Sequence, residues 1–135
     1  MSGYLLDTNH LGRFVDPRHP VRTRLRMALE AGNAFYIILP VITETVAGFS
    51  ILPRAAQNWT EWQVLRPAFT LMLLDEDDAI NAAQLQVTLR RSGRQLATID
   101  ALIATIALRY DLTLLTTDGD FAPVPSLRLE NWLAR

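Results

Sequence analysis

TIDALIATIALRYDLTLLTTDGDF, residues 98–121, decides how this chain folds. Ile103, Ala104, Ala107 and Leu108 recur at the spacing that lines one side of an α-helix, which predicts a helix over Ile99–Arg109 with Thr98 as its N-cap. Leu112–Leu115 then reads as a strand that runs straight into Thr116, Thr117 and Asp118. Asp118 is thereby set at the C-terminal edge of a sheet, where open α/β sheets bind their ligands. Asp100 lies three and four residues before Ile103 and Ala104, so it shares the face that packs on the sheet. A carboxylate there needs a partner, and no histidine or basic residue adjoins it. A first-turn backbone N–H is one candidate partner and a metal ion is the other.

The same pattern extends outward. Tyr4–Leu6 is a short strand ending at Asp7, and residues from Pro20 to about Ala31 form a helix closed by Gly32. Phe35–Leu39 is a continuous apolar run, as expected for a strand covered on both faces. A helix to about Gly48 carries Glu44, a second runs from Ala55 to about Pro67, and Thr70–Leu74 is a third strand. Glu76–Arg91 is helical, with Ala79, Ala83 and Val87 on one stripe and Gly93 beyond its end. Leu127–Leu129 makes a short fifth strand. Strands alternating with helices imply βαβ units, hence a three-layer α/β/α fold around a parallel sheet of four to five strands. No repeat, linker or boundary divides residues 1–135, so one domain is expected.

Composition excludes several chemistries. The chain has no cysteine, which removes thiolate metal sites and cysteine nucleophiles. All 13 basic residues are arginine, so P-loop phosphate binding and Schiff-base catalysis, which need lysine, are excluded. The longest apolar run, Ala34 to Ile42, contains Pro40 and is too short to span a bilayer, and no signal peptide is visible. A cytoplasmic protein with no membrane partner is expected. The net charge of −1 averages two unlike regions, because setting four acids aside leaves ten against the 13 arginines. Arg22, Arg24 and Arg26, and then Arg90, Arg91 and Arg94, form local clusters suited to phosphate, although clustered arginines are more often a solvated helix face.

Asp7, Glu44, Asp100 and Asp118 are the candidate site. Singly, Asp7 could cap a helix, Glu44 could complement a helix dipole and Asp118 could belong to a turn. Four independent caps need not fall at one edge of one sheet, however, and carboxylates gathered there repel one another unless a hard cation neutralises them. Asp120 is open between a further ligand and an acceptor that orients water. Asn9 and Thr116 can hydrogen-bond a neighbouring carboxylate. His10 and His19 lack zinc-hydrolase spacing, and His10 reads as a packed or exposed residue. Asp75, Asp77 and Asp78 open a helix, with Asp75 as its cap, while Trp59, Trp62 and Phe69 suit core or subunit packing.

YLLDTN, ITETVAG, TIDALIATIAL and LTLLTTDGDF, in that order, make the chain similar to PIN-domain proteins, specifically the VapC-type toxins of toxin–antitoxin pairs. The resemblance covers nearly the whole chain. It implies a PIN-like fold and a metal-dependent endoribonuclease acting on tRNA, rRNA or mRNA. Asp7, Glu44, Asp100 and Asp118 would be catalytic ligands of one or two Mg²⁺ or Mn²⁺ ions, with Asp120 an uncertain further ligand. Arg13, Arg90, Arg91 and Arg94 would contact RNA at the rim. A homodimer restrained by a cognate antitoxin is also implied. His10 and Gly12 depart from the apolar and serine-like residues usual in the family, and Thr45 from the leucine that commonly follows the glutamate. The rival reading is a non-catalytic PIN-like module that binds RNA or protein. A small-molecule phosphatase is disfavoured, because the DxDxT signature is missing.

Overall fold

The computed structural model describes residues 3–134. Strands Gly3–Leu6 (β1), Ala34–Ile37 (β2), Phe69–Leu71 (β3), Thr113–Leu115 (β4) and Leu129–Glu130 (β5) form one sheet in the order β3-β2-β1-β4-β5. Every pairing is parallel, and Leu5 of β1 sits between Tyr36 and Leu114. The connecting helices are Thr8–Val15 (α1), Val21–Glu30 (α2), Leu39–Ser50 (α3), Ala55–Leu65 (α4), Glu76–Arg91 (α5) and Thr98–Arg109 (α6).

From β1 the chain winds outward to β2 and β3, then returns over the sheet to β4 on the other side. Right-handed crossovers therefore place α1–α4 on one face and α5–α6 on the other. The packing agrees: α1 touches α2, α3 and α4, whereas α5 lies along α6. The result is the three-layer α/β/α sandwich. Leu5 and Leu6, adjacent in β1 and pointing to opposite faces, are both fully buried. Under the α1 side lies an aromatic cluster in which Tyr4 stacks on Phe35 at 5.2 Å and meets Trp132 edge-on at 5.1 Å. Trp132 so pins the segment after β5 to the middle of the fold, each such pair contributing about 0.5–1.5 kcal/mol beyond its burial.

Three helix ends share one device. Asn33 N–H bonds Ala28 O across Gly32, Arg94 N–H bonds Leu89 O across Gly93, and Leu112 N–H bonds Ala107 O across Asp111. The residue bridged has positive φ in each case: 90° at Gly32, 76° at Gly93 and 55° at Asp111. Glycine suits that conformation, and Asp is among the few side chains that tolerate it.

Several boundaries differ from the sequence reading. β2 stops at Ile37 because Pro40, which cannot donate to a strand ladder, opens α3 in the first turn. β3 ends at Leu71, leaving Leu73 67% exposed, and β5 is Leu129–Glu130. Thr98 is the first residue of α6, not its cap: Ala97 holds that position without a side-chain bond, and Thr98 Oγ1 accepts from Gln86 Nε2 at 3.3 Å. In α5 the stripe Ala79, Ala83 and Val87 faces solvent, while Asp78, Ala82 and Leu89 are buried. The helix is turned by Asp78, which reaches inward to Arg109 of α6 at 2.8 Å. Trp62 and Phe69 are in the core, but Trp59 is 47% exposed.

Candidate active site

The sheet reverses its winding between β1 and β4, and a crevice opens at the C-terminal ends of strands flanking such a reversal. Asp7 follows β1 at that point, its backbone N–H bonding Leu115 O of β4 at 3.1 Å. It also caps α1 through Thr8 N–H, which donates to Asp7 Oδ1 at 2.8 Å. Oδ2 accepts from Thr116 Oγ1 at 2.7 Å and from Asn9 Nδ2 at 3.2 Å. Although only 7% exposed, Asp7 thus has protein donors in place of water on both of its oxygens. The Thr116 hydroxyl gives its proton to Asp7 and accepts Asp118 N–H at 3.0 Å, which joins the ends of β1 and β4 into one unit.

Asp100 is the opposite case. Burial pushes its carboxyl up to about 6, followed by the negative charges of Asp7, Asp118, Glu44 and Asp120, in that order. Among the described residues no side-chain hydrogen bond and no ion pair reaches it. The five carboxylates therefore share one electrostatic neighbourhood, assembled from β1, α3, α6 and the loop after β4. Asp118 opens the short 3-10 turn Gly119–Phe121 by accepting Asp120 N–H at 2.8 Å. Glu44 is exposed on α3, lining a groove of about 730 Å³ together with Thr8, Asn9, Arg13 and Thr45.

Ionised Asp100 costs the folded state stability. The folded carboxyl keeps its proton to about pH 6 while the unfolded one loses it near 3.8, so the cost grows as pH rises between those values and is complete above them. At about 1.4 kcal/mol per unit, and discounting for partial exposure, Asp100→Asn is expected to stabilise the metal-free protein by about 1–2 kcal/mol at pH 7. Thermal melts in chelator should show a rise of a few degrees that shrinks towards pH 4.5. An unchanged or lower melting temperature at pH 7 would mean that neither burial nor the other acids penalise the Asp100 carboxylate.

Among the described residues no three acidic or histidine side chains stand together as a ready-made cation cage. The donor set nevertheless fits a small hard cation. All five groups are carboxylates, and Mg²⁺ keeps several waters while using one or two protein carboxylates. Two hydroxyls of the Glu44 groove, Thr8 Oγ1 and Thr45 Oγ1, are buried without a hydrogen-bond partner, so oxygen acceptors remain available there.

The arginines divide. Arg13 lines the Glu44 groove, and Arg90 and Arg94 line a groove of about 360 Å³ that includes Asp120, on the other side of the acids. None of these three makes an ion pair among the described residues. Arg91 projects elsewhere, beside Ile80 and Val87 on the outer face of α5.

His10 is the residue whose part the sequence did not disclose. It is fully buried in α1, and Nε2 accepts Trp132 N–H at 3.0 Å while Nδ1 meets Asn9 Oδ1 at 2.8 Å. Burial first, and then the Arg24 charge, push its imidazole down to about 4. It is therefore neutral in the physiological range.

A parallel α/β/α sandwich with carboxylates gathered at its winding reversal defines a PIN-like domain. The chain belongs to the PIN domain family, whose model matches residues 4–127. It is similar at 25% identity to a chain of VapBC2 from Rickettsia felis bound to a promoter DNA fragment, covering 96% of this chain and 98% of that one with a TM-score of 0.81. A chain of DNA-bound VapBC from Salmonella typhimurium matches at 22% identity over 98% of this chain and 99% of that one, with a TM-score of 0.80. VapC20 from Mycobacterium tuberculosis, a toxin that cleaves the sarcin–ricin loop, shares the fold at 12% identity, 90% and 95% coverage and a TM-score of 0.66. No curated protein sequence matches the chain significantly. The fold is that of the VapC-type PIN proteins. Among the described residues no helix is long and apolar enough to cross a membrane.

Proposed function

We propose that the chain is a Mg²⁺- or Mn²⁺-dependent endoribonuclease, the toxin of a toxin–antitoxin pair. The observation that carries this reading is a partly buried Asp100 on which the charges of Asp7, Asp118, Glu44 and Asp120 also converge, with no ion pair to it among the described residues. Asp7, Glu44, Asp100 and Asp118 would hold the ion, with Asp120 at the rim. When bound, a divalent ion lowers the pKa of a coordinated water and stabilises charge developing on a scissile phosphate. Asn9 and Thr116 orient the Asp7 carboxyl group. Arg13 on one side and Arg90 and Arg94 on the other grip successive phosphates of an RNA strand laid across the acids. The reaction is phosphodiester hydrolysis leaving 5′-phosphate and 3′-hydroxyl ends.

The antitoxin follows from the relatives, which come from VapBC complexes. In this chain the Glu44 groove continues onto Phe49 and Leu52, the latter 52% exposed, an apolar margin suited to a partner segment. Ile80 and Val87, 51% and 47% exposed on α5, suit a homodimer contact.

Incubation of structured RNAs with the purified chain should give Mn²⁺- or Mg²⁺-dependent cleavage that EDTA abolishes and added metal restores. Calorimetric titration with Mn²⁺ separates this from a binding module. Tight RNA binding without metal binding or cleavage would overturn the enzymatic reading.

A further inference from the structure

Two backbone N–H groups, whose polarity is beyond choice, fix a chain of side-chain hydrogen bonds that ends at Asp7. Trp132 N–H donates to His10 Nε2, so that nitrogen carries no proton and the neutral ring is protonated at Nδ1. Nδ1–H must then face an acceptor, and the Asn9 atom at 2.8 Å from it is Oδ1. Thr117 N–H donates to the same Oδ1 at 3.2 Å. With two donors on its oxygen, the Asn9 amide has only one orientation, and its Nδ2 group is left facing Asp7 Oδ2 and Thr116 Oγ1 at 3.2 and 3.4 Å. A reversed amide would set its N–H₂ against two donors and its oxygen against a carboxylate.

We infer that His10 is a positioning residue, which transmits the anchorage of the Trp132 segment through Asn9 to the carboxylate of Asp7. Its ring is packed between Phe14, at 6.3 Å edge-on, and the segment that delivers Trp132, so the imidazole cannot turn to exchange its two nitrogens without unpacking. The other histidine is wired in reverse. His19 Nδ1 accepts Val21 N–H at 3.1 Å, which leaves the proton of its neutral ring on Nε2. The two rings of one molecule are therefore opposite tautomers.

The effect of His10 on the metal rests on the proposed nuclease reading, whereas its tautomer does not. Long-range ¹⁵N–¹H correlation of the full chain labelled in histidine, at pH 8, should show one ring protonated at Nδ1 and one at Nε2, assigned by the loss of one set in His19→Asn. Protonation of His10 at Nε2 would overturn the inference. In the second arm, Mn²⁺ titration calorimetry compares His10→Leu with His10→Gln, whose amide supplies one donor and one acceptor. Loss of an outer hydrogen bond to a metal ligand weakens affinity about 10–100-fold. A drop at the lower end of that range is expected for His10→Leu, with substantial recovery in His10→Gln. Unchanged Mn²⁺ affinity in His10→Leu, with only a lower melting temperature, would reduce His10 to a packing residue. If the native chain binds no Mn²⁺, the metal reading fails and the tautomer pair decides the inference alone. If His10→Leu does not fold, His10→Gln and the native spectrum carry the test.

Discussion

Asp7→Asn is expected to lower metal-dependent RNA cleavage by about a thousandfold, the equivalent of about 4 kcal/mol in the transition state. The substitution keeps the shape of the side chain and removes its charge. It also reverses a donor pattern that the fold has already fixed. Oδ2 of Asp7 receives the Thr116 hydroxyl proton and the Asn9 amide, so an N–H₂ at that place would meet two donors. Turning the new amide over instead sets its N–H₂ against Thr8 N–H, which now donates to Oδ1. Neither orientation is satisfied, so a loss of about 1–2 kcal/mol in stability should accompany the loss of activity. Cleavage of a labelled RNA in Mn²⁺, with circular dichroism melts of both proteins, measures the two effects together. Cleavage at the native rate by a folded Asp7→Asn protein would remove Asp7 from the site.

The contrast with Asp100→Asn is informative because the two acids lie in the same neighbourhood. Asp7 is surrounded by donors and its neutralisation should destabilise. Asp100 has no donor among the described residues and its neutralisation should stabilise. Opposite changes in melting temperature from two chemically identical substitutions would be hard to obtain from any arrangement except a site whose charge is held against the interest of the fold.

Asp78→Ala should cost about 3 kcal/mol of stability. Asp78 is 1% exposed, and both its oxygens lie within 3.0 Å of Arg109 Nη1. It also completes a reciprocal cap of α5, accepting Asp75 N–H at 2.9 Å while Asp75 accepts Asp78 N–H at 2.8 Å. Loss of a cap costs about 1 kcal/mol, and breaking a buried ion pair about 3–5. Arg109 is 44% exposed and retains Asp75 at 3.1 Å, so the stranded partner can reach water and the total falls at the low end of that range. Urea unfolding should give a midpoint shift corresponding to about 3 kcal/mol, or about 10 °C in melting temperature. A change below 1 kcal/mol would show that the α5–α6 contact is held by its apolar residues alone.

Much of the architecture was legible because it is written locally. A strand that runs into Asp7 or Asp118, and a glycine that closes α2 or α5, are read from a few neighbouring residues. Asp75 and the acids after it were legible as the opening of a helix for the same reason. What was not legible depends on distant partners. The phase of α5 is set by the pull of Arg109 on Asp78, 31 residues apart, which outweighs the weak stripe of Ala79, Ala83 and Val87. The role of His10 depends on Trp132, 122 residues away, and no spacing along the chain announces it. The grouping of the acids was inferred from strand ends; the unequal condition of Asp7 and Asp100 within it could not be. Nothing in the letters distinguishes a carboxylate that will be hydrogen-bonded on both oxygens from one that will be left bare.

The central strand of the sheet precedes all of its neighbours along the chain. Tyr4 of β1 waits for Thr113 of β4, and Asp7 waits for Thr116 and, through Asn9 and His10, for Trp132. On the ribosome, a nascent chain that ends before β4 already contains Asp7, Glu44 and Asp100 but lacks the strand that seats the first of them. A site so arranged stays unassembled until the segment around Trp132 has left the ribosome.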